Sequence, residues 1–259
     1  MPELPAILVE DLWKRYVILH ERATNIKDAV LKIRRRAPRE ARFALQGVSF
    51  QVDPGEAVGV IGPNGSGKTT LLGVLAGVLE PTSGRVAVNG RVAALLEAGA
   101  GFHPDLTGLE NIRLNAALLG IPRRAMDRRL DAILEFAGAT ELIDAPLRTY
   151  SLGMYARLAL AVITHSDLAV LLLDEILAVG DETFHYQCYQ RLEELRRQGC
   201  TVVFVSHILD QVRHICDRVI WLDQGRVIRD GPTEPVLAEY MRHSDELAEQ
   251  ADRATHHDA

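Results

Sequence analysis

The sequence is poor in cysteine, carries no excess of positive charge and has no uninterrupted apolar segment of membrane-spanning length. Its three cysteines, Cys188, Cys200 and Cys216, form no CxxC pair, which predicts reduced thiols of a cytosolic protein rather than a disulfide framework. The net charge of −6 gives no global indication of nucleic-acid binding. The longest apolar region, Leu158–Gly180, is interrupted by polar and charged residues, which excludes an ordinary membrane span. The first residues lack a basic segment followed by an apolar one, so no secretory signal is predicted.

The pattern of apolar residues predicts an α/β fold with a parallel sheet, because short β-branched segments alternate with amphipathic ones. Predicted strands are Ala6–Glu10, Phe50–Val52, Ala57–Ile61, Arg85–Val88, Leu168–Leu173 and Thr201–Val205, and Val219–Ile228 reads as two strands around a tight turn. Leucine, isoleucine and alanine at three- and four-residue spacing predict helices over Asn111–Leu119 and Arg124–Gly138. A helical subdomain over about residues 105–160 is therefore expected inside the α/β core.

A phosphate-binding loop is predicted at residues 62–69, between an apolar strand and the start of a helix. Its glycines let backbone N–H groups turn toward phosphate oxygens, and the helix N-terminus adds partial positive charge. Lys68 would reach the β- and γ-phosphates, and the Thr69 hydroxyl would ligate Mg²⁺. The alternative is a glycine-rich turn before a helix, and the Lys-Thr pair with correct flanks opposes it. The expected nucleoside triphosphate site consists of Gly62, Pro63, Asn64, Gly65, Ser66, Gly67, Lys68, Thr69 and Thr70.

A second candidate site follows the apolar run Leu168–Leu173, where two carboxylates emerge at the carboxyl end of a buried strand. Ligands bind at that end of a parallel sheet. Asp174 could hold Mg²⁺ beside Thr69, and Glu175 could act as the general base that polarises the attacking water. The alternative is that both carboxylates cap a helix N-terminus, and the preceding phosphate-binding loop favours the functional interpretation.

A third candidate is His207, which follows the predicted strand Thr201–Val205 at the same end of the sheet. A single histidine after a strand is usually structural. Its position after a phosphate-binding loop and an acidic strand end favours a role at the γ-phosphate. There it could hold the attacking water together with Glu175.

Residues 150–154, Tyr-Ser-Leu-Gly-Met, resemble the signature motif of ABC-transporter ATPases, about twenty residues before the acidic pair. The resemblance extends over most of the chain and implies the ABC ATPase fold, with a P-loop core, an N-terminal antiparallel β portion and the inserted helical subdomain. It implies that Ser151 and Gly153 bind the ATP of a partner chain. It also implies that Asp181 belongs to the D-loop and that Tyr16 stacks on adenine. ATP and Mg²⁺ are the implied cofactors.

Four segments resemble, more closely, the nucleotide-binding subunits of exporters for O-antigen, teichoic acid and related polysaccharides: residues 95–104, 149–154 and 174–181 and the long segment before Phe43. This resemblance implies a head-to-tail homodimer bound to two copies of an integral membrane subunit, at the cytoplasmic face of the plasma membrane. The implied cargo is a polysaccharide or lipid-linked glycan, with no nucleic-acid partner. The alternatives are an ABC ATPase for another cargo, a soluble ABC ATPase, and a P-loop kinase or GTPase.

The sequence departs from the family pattern at two places. In the signature motif, Tyr150 replaces leucine, Leu152 replaces the first glycine and Met154 replaces glutamine. No glutamine lies between Arg91 and Gly108, where the family carries its Q-loop glutamine. Glu97 is the nearest polar candidate for that contact to Mg²⁺ and water.

The segment 17–42 is predicted to be an insertion in an ATPase domain that spans residues 1–240. It carries eight basic and three acidic side chains, a net charge of +5 in an acidic chain. Asn25 could start a helix whose stripe of Ile26, Val30 and Ile33 is apolar, and Pro38 would end it. The two interpretations are a solvated loop and a basic amphipathic helix at the membrane face. The polar tail 241–259 is expected to be frayed.

Overall fold

The computed structural model describes residues 4–18, 40–96, 101–174 and 181–255. Two sheets are present in this part of the chain, one of three strands in the order β2-β1-β4 and one of six in the order β5-β6-β7-β3-β8-β9. The strands are β1 (Ile7–Ile18), β2 (Glu40–Val52), β3 (Ala57–Ile61), β4 (Ser83–Val88), β5 (Val92–Leu95), β6 (Val170–Asp174), β7 (Thr201–Val205), β8 (Arg218–Asp223) and β9 (Arg226–Pro232). The α-helices are α1 (Lys68–Leu75), α2 (Gly108–Leu118), α3 (Arg123–Asp127), α4 (Leu130–Ala137), α5 (Leu152–Thr164), α6 (Glu182–Arg197), α7 (Leu209–Ile215) and α8 (Thr233–Thr255).

The six-stranded sheet is parallel from β5 to β8, and only β9 pairs in the antiparallel sense. Strands β3 and β7 are buried along their whole length, because core clusters cover both faces of the sheet. One cluster contains the helices α6 and α7, and the other joins the sheet to α1 and the antiparallel sheet. The carboxyl ends of β3, β6 and β7 therefore meet at one edge, which confirms the α/β fold class.

The antiparallel sheet is longer than the sequence indicated, since β1 continues from the predicted end at Glu10 to Ile18. Strand β1 pairs with β2 as far as Ile18↔Glu40 and with β4 from Ile7↔Val88. An irregularity near Asp11, whose φ is +46°, interrupts the alternation that identifies a strand. The two strands thus extend into the predicted insertion, while residues 19–39, with the predicted helix from Asn25, lie outside the described residues.

The helical subdomain has a core of its own, formed by residues of α2 to α5 such as Ile112, Met126 and Leu158. Helix α2 begins with a capping box in which the Thr107 hydroxyl accepts from the Glu110 amide, and the Glu110 carboxylate accepts from the Thr107 amide. The single helix predicted over 124–138 is divided into α3 and α4, and α4 ends at a left-handed glycine.

The polar segment after Tyr240 was expected to fray, but the backbone is helical to Thr255. Its alanine, leucine, glutamate and glutamine residues are strong helix formers, and this outweighs the lack of aromatic residues. The turns of α8 up to Tyr240 are anchored to the sheet, since Trp221 packs edge-on against Tyr240 with ring centroids 5.3 Å apart. None of the helices in the described ranges is long and apolar enough to span a bilayer.

The three cysteines are free, as predicted, and all three are buried. Burial raises the pKa of Cys200 to about 11 and that of Cys188 to about 12. These thiols are therefore not nucleophiles near neutral pH.

Candidate nucleotide-binding site

The predicted phosphate-binding loop connects β3 to α1, as its sequence requires. Gly62, Gly65 and Gly67 have φ of +146°, +79° and +110°, which L side chains rarely adopt. A Cβ on Gly67 would also lie 2.5 Å from the carbonyl oxygen of Ala44. No side chain caps α1 at Gly67, so its first N–H groups remain available to an anion.

Lys68, the first residue of α1, is 8% exposed. Its ammonium donates to the carbonyl oxygens of Gly62 and Pro63, at 2.8 and 3.0 Å. These contacts hold the charged end of the side chain inside the loop. The ammonium is thus placed where a bound phosphate would meet it, with little screening by water.

A cavity of about 650 Å³ opens over this loop. It brings together most of the residues predicted to bind the nucleotide. Its lining consists of Tyr16, Arg42, Phe43, Ala44, Asn64, Gly65, Gly67, Lys68, Thr69, Thr70, Leu96 and Asp174. Gly62, Pro63 and Ser66 lie in the loop behind the lining, and the Ser66 side chain is only 2% exposed. Its hydroxyl has no hydrogen-bond partner among the residues that the structure describes.

One wall of the cavity was missed by the sequence analysis. It comes from β2, where Arg42 pairs with Tyr16 and Phe43 with Arg15 in the register of the hairpin. Tyr16 is 40% exposed, and the Lys14 ammonium lies 5.4 Å from its ring centroid. The Phe43 ring packs edge-on against Trp13, with centroids 5.6 Å apart. Because 21 residues separate the two strands in sequence, no local signal could have revealed this pairing.

The carboxyl ends of β6 and β7 lie side by side at the edge of the sheet that carries the loop. Asp174 ends β6, pairs in register with Val205 and lines the cavity, as Thr69 does. His207 follows β7 by two residues, is exposed, and does not line the cavity. Glu175 and Glu97, the two remaining carboxylates of the predicted site, lie outside the described residues.

The signature residues are placed on the helical subdomain, away from the cavity of their own chain. The Ser151 hydroxyl caps α5 by accepting from the Met154 amide at 3.2 Å, and the next side chain, Leu152, is 71% exposed. Tyr150 anchors the motif, since its hydroxyl donates to the carbonyl oxygen of Leu142 at 2.6 Å. Burial raises the pKa of Tyr150, so the hydroxyl keeps the proton that it donates.

Asp181 caps α6 and connects it to the signature helix. Its carboxylate accepts from the Phe184 amide at 2.9 Å and from the Arg157 guanidinium at 3.0 Å. The backbone hydrogen bond, and then the hydrogen bond from Arg157, hold the pKa of Asp181 below its usual range. The Arg157 guanidinium also lies 4.5 Å from the centroid of the Phe184 ring. Asp181 is therefore ionised and held in place near neutral pH.

A glycine-rich loop between a buried strand and a helix, with a lysine inside it and a carboxylate from the neighbouring strand, defines a P-loop nucleotide-binding protein. The helical subdomain inserted between β5 and β6 restricts the chain to a smaller group within the P-loop proteins. The chain belongs to the ABC transporter family, whose model matches residues 45–178. It is an ATP-binding and ATP-hydrolysing subunit.

Curated relatives are similar along most of the chain. The O-antigen export system ATP-binding protein RfbB of Klebsiella pneumoniae is 43% identical over 92% of this chain and 98% of its own length. The protein of the same name from Myxococcus xanthus is 45% identical over 96% of this chain and 58% of its own length. The teichoic acids export ATP-binding protein TagH of Enterococcus faecalis is 39% identical over 88% of this chain and 51% of its own length.

Solved structures share the fold at lower identity. An ATP-binding subunit of an ABC transporter superimposes with a TM-score of 0.74 at 23% identity, over 91% of this chain and 93% of that one. The dimeric, post-hydrolysis ATP-binding cassette MJ0796 bound to ADP and Pi superimposes with a TM-score of 0.71 at 22% identity, over 88% of this chain and 99% of that one. These similarities establish the ABC ATPase fold.

Proposed function

We propose that this ATPase powers the export of a polysaccharide or lipid-linked glycan of the O-antigen or teichoic acid type. The observation that carries the ATPase part is the cavity in which the P-loop, Tyr16 and Asp174 meet. The cargo class is supported by the relatives, because those with the names quoted above are O-antigen and teichoic acid export proteins that match at least 88% of this chain.

Within this site, each group has a proposed task. Tyr16 stacks on adenine, the loop amides enclose the phosphates, and Lys68 neutralises charge at the β- and γ-phosphates. Thr69 and Asp174 fit a magnesium ion, since both line the cavity and offer the hard oxygen ligands that it prefers. The ion would neutralise phosphate charge. Glu175 is proposed to take the proton of the attacking water, with His207 orienting that water.

The active unit is proposed to be a head-to-tail homodimer. Ser151 and Gly153 do not line the cavity of their own chain, and Leu152 between them is exposed. A second copy facing this surface would bring its own P-loop and ATP against the signature residues. Asp181, capping α6 and bound to Arg157, would lie near the same junction.

The ATPase dimer is proposed to bind two copies of an integral membrane subunit, at the cytoplasmic face of the plasma membrane. No helix among the described residues could itself span the bilayer. The basic segment 17–42 has the charge expected of a contact with anionic headgroups or with that subunit.

The test is co-purification with a multi-span membrane protein, sought first among the products of the neighbouring genes, followed by an ATPase assay in lipid vesicles with and without glycolipid. The proposal predicts that glycolipid stimulates the wild-type complex, while the complex with Glu175→Gln remains inactive under both conditions. A complex that assembles and hydrolyses ATP, but responds to another class of cargo and not to glycolipid, would contradict the cargo assignment alone.

A further inference from the structure

The turn between β8 and β9 lies against the back of the P-loop, outside the nucleotide cavity. Gln224 and Gly225 in this turn have φ of +46° and +76°. The Gly225 amide donates to the carbonyl oxygen of Ser66 at 2.9 Å. One peptide group of the P-loop is therefore held from behind by a segment about 160 residues further along the chain.

Gln46 on β2 binds the same turn at two points and the first residue of β9 at a third. Its amide donates to the carbonyl oxygen of Gly225 at 2.8 Å, and its side-chain Nε2 donates to the carbonyl oxygen of Gln224 at 2.8 Å. The guanidinium of Arg226 donates to the side-chain Oε1 of Gln46 at 3.1 Å. Both carbonyl groups of the turn thus accept hydrogen bonds from one glutamine.

Close backbone contacts fix how near these segments lie. A Cβ on Gly225 would be 2.6 Å from the carbonyl oxygen of Ala44, and a Cβ on Gly67 would be 2.5 Å from the same oxygen. A Cβ on Gly62 would overlap the carbonyl oxygen of Leu222 in β8. Ala44 and Gly67 both line the cavity, whereas the turn does not. The turn can therefore affect the nucleotide only through the P-loop and β2.

We propose that Gln46 and the Gln224–Gly225 turn are positioning residues that set the P-loop against β2 and hold its amides ready for the phosphates. An amide array that is ordered before binding loses little conformational entropy when the phosphates arrive. Without the turn contacts, the loop would be less ordered in the free protein. Part of its ordering would then take place when the nucleotide binds, and the lost conformational entropy would lower the affinity. The expected defect is in nucleotide affinity rather than in the hydrolytic step.

The test is Gln46→Met, which keeps the side-chain volume and removes its hydrogen bonds to the turn. The matched control is Gln51→Met on the same strand, where the side chain is exposed. ATPase kinetics, ADP affinity by calorimetry and the Tm of the nucleotide-free protein would be measured for both variants of the full chain.

For Gln46→Met we expect KM for ATP and Kd for ADP to rise about tenfold, as loss of one or two hydrogen bonds allows, with kcat unchanged. Tm should fall modestly, because the same bonds also stabilise the folded protein. Gln51→Met should match the wild type in all four quantities. Unchanged KM and Kd in Gln46→Met would overturn the proposal. A fall in Tm with no rise in Kd would also overturn it, because that result describes a purely structural contact.

Discussion

The sharpest test of the site is Lys68→Ala, which removes the one ammonium held inside the P-loop among the described residues. Lys68 is 8% exposed, and its two acceptors lie at 2.8 and 3.0 Å. A hydrogen bond from a charged group contributes about 1.5–3 kcal/mol net, and about 1.4 kcal/mol corresponds to a tenfold change in affinity. Loss of one to two such bonds to the phosphates should therefore weaken ATP binding about a hundredfold.

The measurement is ATP and ADP affinity by calorimetry or a fluorescent analogue, with steady-state ATPase activity on the same samples. Binding and turnover should fall together. Arg85→Ala is the charge-matched control, because the Arg85 side chain on β4 is 72% exposed and its nearest carboxylate, on Glu10, is 3.7 Å away. A folded Lys68→Ala protein with ATP affinity within about threefold of the control would refute the assigned role, since loss of one exposed charge alone would change the affinity by about that factor.

Three further predictions address hydrolysis and the inserted segment. Glu175→Gln keeps size and hydrogen bonding but removes the base, so ATP should bind while turnover falls about a hundredfold or more and a dimer with bound ATP accumulates on size-exclusion chromatography; turnover like that of the wild type would exclude Glu175 as the base. His207→Ala should spare ATP affinity and chiefly lower kcat, and an equal loss of affinity would point to a binding role instead. Replacement of residues 20–40 by a short Gly-Ser linker should leave ATP binding intact and abolish export in vesicles, whereas normal export would identify the segment as a loop only.

The local features of the site could be predicted from the sequence, because each depends on backbone constraints within a few residues. The glycines of the P-loop require positive φ between a strand and a helix. The position of Asp174 follows from the apolar run of β6, since the carboxyl ends of parallel strands share one edge. Strand β5, only four residues long, gave no comparable signal and was missed. The prediction of a frayed segment after Tyr240 was wrong, because it rested on the lack of aromatic residues and not on the helix propensity of the residues present.

Only the tertiary structure decided which distant residues complete the cavity. Arg42 and Phe43 reach it through the register of β1 and β2, and such pairing depends on packing and long-range hydrogen bonds rather than on neighbouring residues. The contact from Gly225 to Ser66 joins segments far apart in sequence for the same reason. The chemistry of the phosphate loop is thus determined by a run of eight residues, whereas the shape of the cavity around it depends on how strands that are distant in sequence pack together.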